Sequence, residues 1–108
     1  MADEVNASFV LPGEPAANLA AWSADPPPFL SVDGYKQIDD SYESLVFEAN
    51  VTTGFVRITT FGFGKTVYRL TFTFRATGDG STQVTALGQA LERTRDAFAS
   101  WVVEHAGT

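Results

Sequence analysis

Apolar and polar residues alternate most sharply between Thr66 and Thr77. Tyr68, Leu70, Phe72, Phe74 and Ala76 fall on one face there, and Arg69, Thr71, Thr73 and Arg75 on the other. A period of two over this length predicts a strand with one buried and one solvated face, the habit of antiparallel sheets. Gly78-Asp79-Gly80 then predicts a hairpin turn, and Ser81 to Gly88 a returning strand with Val84 and Ala86 on one face and Leu87 opposite. Upstream, Tyr42 to Val51 repeats the pattern: Leu45, Phe47, Ala49 and Val51 share a face, and Ser44, Val46, Glu48 and Asn50 the other. Phe55 to Phe61 is a further strand after the turn Thr52-Thr53-Gly54, and Gly62 to Lys65 is a glycine-punctuated connection.

The flanks change period. Ser8 to Leu11 is a short strand ended by Pro12-Gly13, and Glu14 to Ala24 a helix. Pro15 suits its first turn, and Asp25 with the prolines at 26–28 stops it. Phe29 to Ile38 reads as a strand with a bulge at Gly34, and Asp39-Asp40-Ser41 as a turn. From Gln89 to His105 the spacing becomes helical: Leu91, Thr94, Ala97, Phe98, Trp101, Val102 and His105 form one broad stripe. An apolar sheet face needs a cover, and this helix offers the longest one. The expectation is an α+β fold, a curved antiparallel sheet of about six strands wrapped on the C-terminal helix, in a single domain over 1–108.

Composition narrows the chemistry. Cysteine is absent, which excludes disulfides and thiol chemistry. The formal charge is −6, and the seven basic residues are scattered, so nucleic acid is not expected as a partner. No apolar run approaches the roughly 20 residues of a membrane span, and the acidic N-terminus is unlike a secretory leader. A cytoplasmic protein is the expectation.

His105 is the sole histidine, so histidine-pair metal sites and charge relays cannot be assembled, and a helix-end role suits it. Asp39, Asp40 and Glu43 form the densest acidic cluster, with turn chemistry as the simpler explanation. Gly62-Phe63-Gly64-Lys65 is not a phosphate loop, because a strand rather than a helix follows it. No metal or cofactor is expected. Phe55, Phe61 and Val46 point away from the main stripe, which suggests a protein-interaction or homodimerisation surface on the outer sheet face.

The order of elements resembles the helix-grip fold of the START-like superfamily, which includes polyketide cyclase/dehydrase-like and lipid-transport proteins. Three segments carry the resemblance. Ser8-Phe9-Val10-Leu11 leading into Glu14 to Trp22, with Asp25-Pro26 at the exit, looks like the family's first strand and helix. Asp79 to Thr85 is similar to its hairpin into the last strand, and Leu91 to Glu104 would be the gripped helix. The chain is short for that family, lacking a second small helix and one strand by this reading. The resemblance implies a cavity between sheet and helix for an apolar small molecule or lipid, lined by Phe47, Tyr68, Leu70, Phe72, Phe74, Phe98 and Trp101. The same residues read from burial alone are simply core. Cyclase- or dehydrase-type catalysis ranks last, since the inward faces are nearly devoid of ionisable groups. A non-enzymatic binding protein is the leading expectation.

Overall fold

The computed structural model describes residues 2–52 and 65–106. The fold is α+β. Its strands are β1 (Ala2–Pro12), β2 (Lys36–Asp40), β3 (Ser44–Thr52), β4 (Lys65–Ala76) and β5 (Ser81–Leu91). Helix α1 (Pro15–Ala24) follows β1, a 3₁₀ turn covers Pro28–Ser31, and helix α2 (Glu92–His105) follows β5. The strands form one antiparallel sheet in the order β1-β5-β4-β3-β2, so the meander β2 to β5 is completed by the first strand added beside the last.

Alternation decides the two faces. Leu45, Phe47, Ala49, Tyr68, Leu70, Phe72, Phe74, Val84, Ala86 and Ala90 are buried on one side, together with Val5, Phe9 and Leu11 of β1. Helix α1 packs over β3, β4 and β5, while α2 lies against β1, β5 and the 3₁₀ turn. Together they cover the apolar face. The opposite face stays in water and carries cross-strand polar pairs, among them Arg69 donating to Glu48 at 2.8 Å. Such an exposed pair is worth well under about 1 kcal/mol.

Four boundaries differ from the pattern reading. β1 begins at Ala2 rather than Ser8, because β5 runs on to Leu91 and supplies ladder partners all the way back. That extension also delays α2 to Glu92 instead of Gln89. Of Phe29 to Ile38 only Lys36 to Ile38 is strand, as the start of β2, and Gly34 lies in the turn before it at φ 77° instead of forming a bulge. Phe29 and Leu30 are adjacent and both buried, which a period of two forbids and a tight turn entered through Pro27 and Pro28 allows. Asp39 and Asp40 are not a turn but the end of β2, paired with Val46 and Leu45, and the chain reverses at 41–43 instead. The sheet has five strands among the described residues; the strand expected at Phe55 to Phe61, and most of the connection before Lys65, lie outside them.

Gly88 marks a bend. The ladder between β4 and β5 begins at Leu70 and Gly88, so Gln89 to Leu91 continue beside β1 alone. Gly88 has φ 147°, and a Cβ there would overlap the Arg69 carbonyl, so the crossing requires a residue without a side chain.

Candidate functional site

The interior between sheet and helices is built from aromatic rings. Trp22 of α1 is its hub, with ring centroids 5.1 Å from Phe72, 5.3 Å from Phe74, 5.5 Å from Trp101, 6.1 Å from Phe29 and 6.4 Å from Phe9. Most of these pairs meet edge to face, the favoured geometry for interlocking quadrupoles. Phe98 of α2 closes the cluster at 5.0 Å from Phe29 and 5.7 Å from Phe9.

The seven residues expected to line a ligand site fall in three places. Phe47 and Phe72 are fully buried and touch each other at 5.9 Å, with Leu70 beside them in the ladder opposite Phe47. Tyr68, opposite Ala49, and Phe74 are also buried, and Phe74 forms part of a surface recess with Tyr42 and Glu43. Phe98 is buried under a groove between β1 and α2. Trp101 is half-buried and reaches the surface.

At Trp101 the ring cluster opens into a cleft. Two recesses of about 720 and 320 Å³ share Pro28, Trp101 and His105 as walls. The larger is completed by Trp22, Asp25, Pro26, Pro27 and Ser31, the smaller by Phe29, Val32, Ala97, Ser100 and Glu104. His105 lies flat on Trp101, centroids 4.5 Å apart and planes 12° from parallel, with its Nδ1 2.9 Å from the Trp101 carbonyl oxygen. The proline run makes the facing wall: its fixed backbone holds the end of α1 against α2 without a helical ladder. Asp25 and Glu104 bring negative charge to the rim, and neither lysine nor arginine lines either recess.

A second constellation stands at the opposite end of α2. The Asp33 carboxylate, with its side chain 1% exposed, accepts from the Arg93 guanidinium and the Thr94 hydroxyl. Leu91 at the helix start supplies no side-chain cap, so the distant Asp33 brings the anion that the first turn of a helix favours. Next to it the Tyr35 hydroxyl donates to the Gln89 carbonyl at 2.7 Å. Burial pushes the Tyr35 phenol above its ordinary range, and the nearby Asp33 carboxylate and then Tyr68 push it further. This cluster is a clamp with its polar atoms satisfied. A third polar knot joins β1 to α1: Asn18 Nδ2 donates to the Pro12 carbonyl at 3.0 Å and to Thr82 Oγ1 at 3.2 Å, while buried Thr82 donates to the Gly13 carbonyl at 2.7 Å.

Pattern reasoning missed most of the cleft. Trp22 and Phe29 entered it only as members of a helix stripe and a strand, and Pro26 to Pro28 only as a stop signal. His105 does end its helix, where its contribution to the cleft depends on stacking with Trp101 one turn earlier. The Asp33–Arg93 pairing spans 60 positions and had no sequence signal. Among the described residues no group of histidine and acidic side chains converges for a metal ion, and no helix is long and apolar enough to cross a membrane. No family model matches the chain, and no curated protein matches it.

Proposed function

We propose that this chain is a reduced helix-grip domain that binds a neutral apolar small molecule, without catalysis, in the cleft where Trp101 meets Pro26 to Pro28. The helix-grip reading is supported by the element order: a strand and helix, then a meander, then a final helix packed on the inner sheet face. The observation that carries the binding reading is the opening of the aromatic cluster at Trp101, flanked by two recesses whose sizes suit a small ligand.

The interior rings give the cleft a rigid floor, since Trp22, Phe9 and Phe29 lock the Trp101 indole from three sides. Affinity then comes from apolar burial at about 25 cal/mol per Å², with the His105 ring and the Ser31 and Ser100 hydroxyls fixing orientation. Asp25 and Glu104, together with the net charge of −6, disfavour anionic ligands such as fatty acids.

Titration with Nile red, a neutral apolar dye, tests the reading directly. Saturable one-to-one binding that alters tryptophan emission is expected, weakened several-fold by His105→Ala, an exposed position whose loss leaves the core intact. Absence of saturable binding with unchanged tryptophan emission overturns it.

A further inference from the structure

We infer that the free edge of β1, with the outer stripe of α2 above it, is the interface through which two copies of this chain pair. β1 is the longest edge of the sheet, and all eleven of its residues pair with β5 in unbroken register. Among the described residues its other side has no strand partner. An edge of this kind is normally blunted by lysine, proline, a bulge or brevity. From Val5 to Leu11 β1 has none of these: there is no charge, no proline and no register shift.

The surface above the edge is apolar as well. An open groove of about 370 Å³ between β1 and α2 has the buried Val5, Phe9 and Phe98 as its floor, Ala7 and Val102 on its apolar walls, and Asn6, Ser8 and Arg95 as its polar members. Ala99 adds its exposed methyl, and Val103, one turn along, is 84% exposed. Strand edge and helix stripe therefore form one flank with apolar residues at Ala7, Ala99, Val102 and Val103.

A second copy fits this flank better than another partner because the flank is self-complementary. Antiparallel pairing about Ala7 sets Glu4 of each copy opposite Val10 of the other and Asn6 opposite Ser8, so no like charges face each other. The two-fold axis runs perpendicular to the sheet, which places both α2 helices on the same side and antiparallel. Their small Ala99 side chains permit close approach over the joined groove. Eleven extended residues make this edge about 35 Å long.

Sedimentation equilibrium at concentrations up to about 100 µM, above the micromolar limit typical of such interfaces, is the test. The wild type is expected at twice the 11.6 kDa of one chain. Ala99→Arg and, separately, Val103→Arg should return it to a single chain with an unchanged circular dichroism spectrum. Hydrogen exchange of the Val5 to Phe9 amides should slow as concentration rises in the wild type and not in the variants. A wild type that stays monomeric overturns the inference, as does a dimer that survives both substitutions without added β1 protection. The cleft at Trp101 lies on the other side of α2, so Nile red binding by Val103→Arg separates this result from the fate of the ligand reading.

Discussion

The two edges of this sheet are built to opposite rules. β2 is five residues long, exposed throughout, interrupted by a register shift between Gln37 and Asp39, and carries Lys36, Asp39 and Asp40. β1 is eleven residues long, regular, and buries Val5, Phe9 and Leu11 in the core. Charge, brevity and a register shift blunt β2, and the stretch from Val5 to Leu11 of β1 has none of them. One strand is therefore an ornament of the sheet, and the other is structural: it closes the core on one side and leaves a pairing-competent backbone on the other.

Substitutions can break that contrast. Phe9→Ala, which removes a ring touching Trp22, Phe98 and Trp101, should destabilise the fold by about 4 kcal/mol in urea denaturation. Ile38→Ala on β2, 49% exposed, should cost less than about 0.5 kcal/mol. Similar losses at the two sites would erase the distinction. Gly88→Ala should cost about 3 kcal/mol by forcing β5 off β4 at the bend, with hydrogen exchange accelerating first in Gln89 to Leu91. Asp33→Asn should cost about 2 kcal/mol by weakening charge-assisted bonds at the start of α2.

Two pH effects are smaller. Tyr35 has its folded pKa raised, so its contribution is complete below the unfolded value of about 10 and is lost as pH rises beyond it. Tyr35→Phe should leave the alkaline rise in 295 nm absorbance unchanged as long as the protein is folded, because the native phenol stays protonated there. Asp79 is the reverse case. Hydrogen bonds from Thr77 and then Ser81 hold its carboxyl below the ordinary range, so its contribution exists above that range and disappears as pH falls through the lowered value. Asp79→Asn should flatten the acid limb of the stability curve slightly. An unchanged limb would remove the carboxylate from the turn's stability.

The meander was legible because each strand from Leu45 onward has one wet face, and period two survives in the sequence when only one side is buried. The Gly78–Gly80 turn was legible for a local reason too, since both glycines take positive φ. β1 before Ser8 was not, because Asp3 and Glu4 have no strand preference of their own and are extended by the ladder to β5. The β5–α2 boundary was blurred since Ala90 and Leu91 satisfy both periods. The cleft was hidden for a different reason. Trp22, Pro26 to Pro28, Trp101 and His105 meet only through tertiary packing, and nothing in their spacing marks them as neighbours.

The register of β1 also has a consequence in time. Its partners, Ser81 to Leu91, are synthesised 69 to 89 residues later. At roughly 5 to 20 residues per second on the ribosome, β1 waits about 3 to 18 s before its ladder can form. Throughout that interval Phe9 and Leu11 have no ladder beside them, whereas Trp22 gains Phe72 and Phe74 as its floor once β4 has been made. β1 thus joins the sheet only after the strands that follow it have been made, beside the one that is made last.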